Sequence, residues 1–206
     1  MNKSIGIIEY GVGNLKSLEN TFRHINNQVI RVKEDDDFDK IDYLVLPGVG
    51  AFSNCMEKLN SSKLIPQIYN WVNKSKPLLG ICVGMQMLFD SSEEFGEKKG
   101  LGIIKGKITK LNIIHSELKI PHLGWNKVTF HKKFNLFQED TSGDFYFAHS
   151  YSFKEPENEH IIASCSHSEK FGAVVKKENT VGVQFHPEKS QDLGIKFLKS
   201  FLSYNN

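Results

Sequence analysis

The stretch PLLGICVGMQMLF, residues 77–89, places one cysteine between two glycines at the end of an apolar run. Its first half is typical of a buried strand and its second half of the start of a helix. A sharp turn between the two brings backbone segments close together, and Gly80 and Gly84 suit such a turn because they carry no side chain. Cys82 therefore has the position of the nucleophile in a G-x-nucleophile-x-G elbow.

The elbow predicts a chemistry for Cys82. Open α/β sheets bind ligands beyond the carboxyl ends of their strands, and a turn of this kind holds the thiol there. The N-terminus of the following helix favours the thiolate, and its free backbone N–H groups, Val83 first, can bind an oxyanion. The alternative is a buried cysteine at a strand end that packs as a small apolar residue.

The first ninety residues alternate between apolar runs and segments with helical spacing. Strands are predicted at residues 5–10, 29–32, 43–46 and 78–82. Apolar residues recur every three or four positions in residues 15–25, and residues 59–71 also read as helical, broken or started near Pro66. Because the strands lack polar alternation, they predict a doubly wound α/β fold with a mostly parallel sheet.

The second half of the chain is rich in strands and poor in helices. Strands are predicted at residues 105–114, 126–130, 144–147, 161–166, 171–176 and 180–184, before a last amphipathic helix at residues 193–204. This order indicates an antiparallel β extension of the same sheet. No repeat or linker divides the sequence, so we expect one domain over residues 1–206, with the acidic cluster at 34–37 in an exposed loop.

Composition excludes several classes of function. A formal net charge of +2 gives no electrostatic reason to expect nucleic acid or an anionic membrane as a partner. Cys55, Cys82 and Cys165 form neither a disulfide framework nor a metal-binding pattern, so no metal or cofactor is predicted. No signal peptide or membrane-spanning run is recognisable, which makes the cytoplasm the expected location.

VGVQFHPEKS, residues 181–190, supplies a candidate base for the thiol. His186 ends an apolar strand and precedes a proline, and Glu188 follows two positions later. In extended backbone both side chains point to the same side, so the carboxylate can orient the imidazole and stabilise its protonated form. The alternative is a strand-end histidine beside a solvated glutamate.

The remaining candidates are weaker on their own. The loop Pro47-Gly48-Val49-Gly50 follows a strand and can offer N–H groups to a developing negative charge, or it is a simple β-to-α turn. His122 and His149 follow apolar segments but lack a carboxylate two residues on, so they are expected to pack or to shape a substrate site. Cys55 and Cys165 are interpreted as structural.

GICVGMQ at 80–86 and QFHPE at 184–188 together closely resemble the class I, triad-type glutamine amidotransferases. The resemblance covers nearly the whole chain and implies the flavodoxin-like fold of this family. It narrows to the glutaminase subunits of imidazole glycerol phosphate synthases through five further segments: EYGVGNLKS, LPGVGAF, KKGLGIIKGKI, IPHLGWNKV and FYFAHSY. Members of the family often have leucine at the place of Val83 and aspartate at the place of Glu9, and neither departure concerns a triad position.

The resemblance implies that Cys82 is the nucleophile, His186 the general base and acid, and Glu188 the carboxylate that orients the imidazole. It implies an oxyanion hole built from backbone groups of four residues: Gly48, Val49, Gly50 and Val83. The residues that would bind the substrate glutamine are Gly84, Gln86, His149, Ser150 and Tyr151.

The resemblance also implies a partner, because ammonia released in water becomes unreactive ammonium and 206 residues leave no room for an acceptor domain. This partner would be a (βα)8-barrel cyclase subunit, in a heterodimer, and its nucleotide ligand would activate the glutaminase. We expect the interface near Cys82, with Tyr10, Asn14 and the 47–50 loop at its edge.

Three other functions stay open at the level of sequence. The first is a paralogous subunit that supplies ammonia for amidino sugars of surface polysaccharides. The second is a freestanding γ-glutamyl cysteine hydrolase that works without a partner. The third is a scaffold protein without activity, in which Cys82 is only a buried side chain.

Overall fold

The structure is a computed structural model that describes residues 3–25, 27–113, 118–155 and 158–203. Its strands are β1 Ser4–Ile8, β2 Gln28–Val32, β3 Tyr43–Leu46, β4 Leu78–Ile81, β5 Ser91–Ser92, β6 Lys98–Lys99, β7 Lys107–Lys110, β8 His122–Phe130, β9 Ser142–His149, β10 Tyr151–Phe153, β11 Ile161–His167, β12 Glu169–Lys177 and β13 Thr180–Val183. Its α-helices are α1 Leu15–His24, α2 Phe52–Ser61, α3 Ile65–Asn73, α4 Val83–Met87 and α5 Gln191–Leu202.

Nine strands form the main sheet, in the order β2-β1-β3-β4-β13-β12-β11-β8-β9. The pairs from β2 to β13 are parallel, and the pairs from β13 to β9 are antiparallel. Every residue of β3, β4 and β13 is buried, as expected for central strands covered on both faces. The predicted fold class, a doubly wound parallel sheet with an antiparallel extension, is confirmed.

The helices follow the apolar spacing of the sequence. In α1, Leu18 and Phe22 face the sheet, and the side chain of Asn14 caps the helix by accepting the N–H of Ser17 at 3.4 Å. The helix predicted at 59–71 is instead the end of α2 and most of α3. The chain breaks at Lys63, whose φ is 63°, and Pro66 lies in the first turn of α3, where it costs no hydrogen bond.

The antiparallel half differs from expectation in extent. The predicted strand at 105–114 is only β7, Lys107–Lys110, and it belongs to a second, small sheet with the order β10-β7-β5-β6. Residue 114 lies outside the described residues. The last helix begins earlier than predicted, at Gln191, and ends at Leu202; residue 204 also lies outside the described residues.

The acidic cluster is not an exposed loop throughout, which corrects the expectation from sequence. It leads into a 3-10 helix, Asp35–Lys40, in which Asp37 is buried. One carboxylate oxygen of Asp37 accepts the backbone N–H groups of Lys33 and Glu34, and the other accepts Lys40 Nζ. These hydrogen bonds, that of Lys33 first, lower the pKa of Asp37, so the buried charge is satisfied locally.

The parallel strands bring distant parts of the sequence to one edge of the sheet. In the register of β4 and β13, Leu79 lies opposite Val181 and Ile81 opposite Val183. The residues that follow each strand, Cys82 and Gln184, therefore emerge side by side although about a hundred positions separate them. In the described part of the chain, no helix has the length and apolar character to cross a membrane.

Candidate active site

Cys82 occupies a strained turn between β4 and α4. Its φ of 54° and ψ of −113° are unusual for a residue with a side chain, and such strain is typical of a nucleophile elbow. A Cβ atom on Gly80 would lie 2.8 Å from the carbonyl oxygen of Gly84, and one on Gly84 would lie 2.0 Å from that of Leu46. The close backbone approach predicted for both glycines is confirmed.

His186 and Glu188 form a buried pair beside the elbow. His186 Nδ1 lies 2.9 Å from Glu188 Oε1, and their side chains are 5% and 2% exposed. The backbone of His186 is fixed as well: its N–H donates to Tyr146 O at 2.9 Å, and its carbonyl accepts Ser190 Oγ at 2.6 Å. The imidazole therefore has one ring nitrogen held by a carboxylate and the other free to face Cys82.

The surroundings of His186 favour its protonated form. Burial by itself lowers the pKa of the imidazole, but hydrogen bonds to Cys82 and then to Glu188 outweigh burial and raise the pKa to about 10. The structure thus brings together the three residues that the sequence selects for a triad. A protonated imidazole between a thiolate and a carboxylate is a common resting state of an activated cysteine.

A cavity of about 340 Å³ opens in front of Cys82. The predicted site residues that line it are Val49, Gly50, Cys82, Val83, Gln86, His149, Ser150, Tyr151 and His186. Gly48 and Gly84 are not among the described lining residues. They pack behind the wall, where a Cβ on Gly48 would lie 2.4 Å from the backbone nitrogen of Gly84.

The loop over the elbow is held from below. Tyr10 Oη donates to Pro47 O at 2.6 Å, and Cys55 Sγ donates to Val49 O at 3.4 Å. Tyr10 is only 5% exposed, so its expected place at the edge of a partner interface is wrong; its apolar ring is buried under the loop. Cys55 packs as a structural residue and also restrains the loop, and burial raises the pKa of its thiol.

Gln86 is fixed deep in the cavity by its amide group. Its Nε2 donates to Tyr151 O at 2.8 Å and to Gln184 Oε1 at 3.1 Å. Both amide hydrogens are therefore used, and Gln86 Oε1 is left as an acceptor. This geometry suits a site that receives an N–H donor of a ligand.

His149 and His122 form a second buried pair of rings. His149 Nδ1 lies 2.9 Å from Tyr151 O, and His149 Nε2 lies 3.0 Å from His122 Nδ1. Burial first, and then the neighbouring histidines, lower the pKa of His122 to about 3 and that of His149 to about 4. Both rings are therefore neutral, and His149 lines the cavity as a rigid wall rather than as an acid.

Three residues that line the cavity or lie beside Cys82 were not predicted as site residues. Glu94 lies on the loop after β5, and its Oε2 accepts the N–H of Phe52 at 2.6 Å. Gln184 places its Nε2 3.8 Å from Cys82 Sγ. Lys189, next to the predicted Glu188, also lines the cavity. A glutamine between a strand and the predicted base is the clearest clue, because its side chain has to emerge beside the elbow.

Other clusters do not compete with this site. In the described part of the chain, no group of three or more His, Cys, Asp or Glu residues is arranged to hold a metal ion. Cys165 is buried in β11, and burial raises the pKa of its thiol to about 12. It has the structural role that the sequence predicts.

Comparison with known proteins adds a family and close relatives. The profile described as "Glutamine amidotransferase class-I" matches residues 6–203. The chain is 42% identical to "Imidazole glycerol phosphate synthase subunit HisH" of Sulfurimonas denitrificans, over 98% of this chain and 99% of the relative. It is 39% identical to the protein of the same name from Bacillus subtilis, over 96% of this chain and 94% of the relative.

Solved structures agree on the fold. "Structure of PurLQS from Thermotoga maritima" superimposes with a TM-score of 0.77 over 100% of both chains, at 19% identity. "Crystal structure of glutamine amidotransferase" gives a TM-score of 0.75 over 97% of both chains, at 14% identity. At such identities the likeness concerns the fold alone.

Proposed function

Because this chain belongs to the class I glutamine amidotransferases, we propose that Cys82, His186 and Glu188 are the triad with which it hydrolyses glutamine to glutamate and ammonia. The chain is the glutaminase subunit of an imidazole glycerol phosphate synthase, in histidine biosynthesis, and this rests on relatives of that name over nearly its full length. The single observation that carries the triad is that Cys82 and His186 line the same cavity, with the His186 imidazole held by Glu188 and its pKa raised by Cys82 and Glu188.

The first half of the reaction forms a thioester. The Cys82 thiolate attacks the side-chain amide carbon of glutamine, and the carbonyl π electrons move to its oxygen. Backbone N–H groups at Val83 and at Val49 or Gly50 bind this oxyanion; those of Val49 and Gly50 make no hydrogen bond within the described chain. As the intermediate collapses, the imidazolium of His186 protonates the departing nitrogen, and ammonia leaves.

The second half returns the enzyme to its starting state. Neutral His186 removes a proton from water, which attacks the thioester carbon, and the Cys82 thiolate leaves with its bonding electrons. Glu188 holds His186 Nδ1–H throughout, so that the other ring nitrogen faces the reacting atoms. The protonated imidazole then again faces a thiolate, as before the reaction.

Substrate binding uses the remaining polar groups of the cavity. Glu94 supplies a carboxylate that can pair with the α-ammonium group of the substrate glutamine. Gln86 Oε1 can accept an N–H group of the same substrate. The turn from His149 to Tyr151 also lines the cavity and supplies further backbone groups. The cavity volume of about 340 Å³ suits an amino acid of this size.

The partner is a cyclase subunit that receives the ammonia. Exposed apolar side chains belong to the cavity lining or lie close to it in sequence: Val49, Phe95 and Leu123. Exposed large apolar residues around an opening are typical of a docking surface, and a docked partner would keep ammonia from water. We propose that the barrel cyclase covers this rim in a heterodimer.

Reconstitution with the cyclase of the same organism tests the proposal. Product formation is measured with glutamine and, separately, with an ammonium salt. Cys82→Ala should reduce the glutamine-dependent rate by about a thousandfold or more and leave the ammonium-dependent rate unchanged. Cys165→Ala, which removes another buried thiol, is the matched control and should retain both rates.

Two results would contradict the proposal. Retained glutamine-dependent activity in Cys82→Ala would remove the nucleophile from the mechanism. An active glutaminase that fails to serve the cyclase and fails to rescue a histidine auxotroph would favour the polysaccharide paralogue or a freestanding hydrolase instead.

A further inference from the structure

The backbone carbonyl of Tyr151 fixes the direction of a chain of hydrogen bonds. A carbonyl oxygen only accepts, so both groups that contact it must donate. These groups are Gln86 Nε2 at 2.8 Å and His149 Nδ1 at 2.9 Å. The amide orientation of Gln86 and the tautomer of His149 are therefore both determined by one main-chain atom.

The direction propagates from Gln86 to the nucleophile. Because Gln86 turns its NH₂ group toward Tyr151, the same group also donates to Gln184, at 3.1 Å, and Gln184 must present its Oε1. The amide of Gln184 then has its own NH₂ group directed at Cys82 Sγ, at 3.8 Å. The reversed amide would place two NH₂ groups against each other in a buried site, where no water relieves the conflict.

A second series of hydrogen bonds runs from Tyr151 O through His149 to His122 and Asn126. Its donors and acceptors are fixed in the same way. His149 Nε2 must accept, so His122 Nδ1 donates to it at 3.0 Å, and His122 Nε2 accepts Asn126 Nδ2 at 3.1 Å. Asn126 Nδ2 also donates to Ser166 O at 2.9 Å. Each group along this branch finds a partner of the right kind, which leaves no freedom to reverse the chain.

We propose that Gln184 donates a hydrogen bond to the Cys82 thiolate and is a further residue of the reaction site, with an orientation set by Gln86 and Tyr151. The proposal rests on the function proposed above, since it concerns the same nucleophile. Gln184 directly follows β13, on the strand that also leads to His186, so one strand end delivers both the base and this donor to the sulfur.

A neutral donor suits this place for an electrostatic reason. Gln184 and Cys82 are 0% and 2% exposed, so water gives the thiolate little solvation. An amide N–H stabilises the negative sulfur without adding a charge, and His186 stays the cation that later gives up its proton. In the thiol form, Cys82 can donate to Ala148 O at 3.9 Å; that contact is lost on ionisation, when the contact with Gln184 strengthens.

The test is a pH titration of the Cys82 thiolate in the full-length chain. Thiolate formation is followed by its ultraviolet absorbance, as the difference between each protein and the same protein with Cys82→Ser. Gln184→Met keeps the side-chain length but removes the donor, and Gln184→Glu keeps the shape but adds a negative charge. Gln138→Met, at an exposed position, is the control.

We expect the midpoint of the titration to rise by about one pH unit in Gln184→Met, which is a tenfold fall in the ionisation constant of the thiol. The rise should be larger in Gln184→Glu and absent in Gln138→Met. A midpoint in folded Gln184→Met equal to that of the unmodified chain would overturn the proposal. If Gln184→Met does not fold, the same midpoint in Gln184→Leu, which also lacks a donor, overturns it equally.

The titration needs neither substrate nor partner, so its outcome is independent of the pathway. An unmodified complex that cannot use glutamine would end the proposed function and leave the titration result in place. Conversely, unchanged midpoints in an active complex would remove Gln184 from the reaction site and leave the triad intact.

Discussion

His186 and the pair formed by His122 and His149 lie in the same molecule and are all buried, yet their pKa values move in opposite directions. His186 faces a thiol and a carboxylate, which raise the pKa of the imidazole to about 10. His122 and His149 face each other, amides and a carbonyl, and burial lowers their pKa values to about 3 and 4. Burial lowers the pKa of all three histidines, and only His186 has neighbours that outweigh burial and keep its ring charged.

The two environments also correspond to two halves of the sheet. His186 follows β13, at the last parallel strand, whereas His122 and His149 belong to the antiparallel strands β8 and β9. In the parallel half the carboxyl ends of β4 and β13 lie side by side, and Cys82, His186 and Glu188 follow these two strands. The antiparallel half supplies a wall of neutral, mutually hydrogen-bonded groups, so neither of its two rings adds a positive charge beside Cys82.

Removing the carboxylate of Glu188 should have the largest effect on the difference between His186 and the two neutral histidines. In Glu188→Gln the imidazole loses its charged partner, so its pKa should fall and its orientation loosen. We expect glutamine-dependent turnover of the complex to fall by about a hundredfold, within the range of general acid–base contributions. Glu57→Gln, on the exposed face of α2, should have no effect. Equal turnover in Glu188→Gln and the unmodified complex would exclude Glu188 from the mechanism.

The same substitution should change how stability depends on pH. The folded state raises the pKa of His186, so pairing stabilises the fold fully below the unfolded value near 6.5 and ceases to do so as pH rises through about 10. Urea denaturation between pH 6 and 10 should show that Glu188→Gln is less stable by about 1–3 kcal/mol at the acid end, the range for a charged hydrogen bond. A stability difference that grows toward pH 10 would contradict the assignment of a protonated His186.

Replacing a member of the neutral pair, His122 and His149, should change the pH dependence of stability in the opposite direction and by less. Because folding lowers the pKa of His122, the unfolded chain binds more protons below pH 6.5, and the fold loses stability as pH falls. In His122→Gln this loss between pH 7 and 5 should shrink by about 1 kcal/mol, after allowance for solvent screening. Denaturation of the exposed variant His24→Gln serves as the control. An unchanged pH slope in His122→Gln would show that His122 is not held neutral by the fold.

The sequence predicts the parallel half of the sheet and its site residues better than the antiparallel half. The elbow at Cys82 and the strand-end motif at His186 are local patterns, and parallel strands then bring their carboxyl ends to one edge without further information. The interruption predicted near Pro66 is present as the break between α2 and α3, and it lies at Lys63, where one positive φ turns the chain.

Contacts that depend on the direction of a side chain cannot be predicted from the sequence patterns. Tyr10 was expected at the surface, but its hydroxyl finds Pro47 O under the loop. Glu94 belongs to a charged, turn-rich segment that gives no sign of facing the cavity, and only the fold of the small sheet brings it there. Gln184 stands inside a recognised motif, but its bond to Cys82 follows from the orientation of Gln86.

The protonation of the three histidines is the most direct test of the account, and nitrogen NMR of the imidazole rings in the full-length chain measures it at neutral pH. We predict a doubly protonated His186, and a hydrogen only on Nδ1 in both His122 and His149. Cys82→Ser and Glu188→Gln should each move the His186 signals toward the neutral ring and leave the other two unchanged. A neutral His186 at pH 7 in the unmodified chain, or a charged His149, would contradict the account.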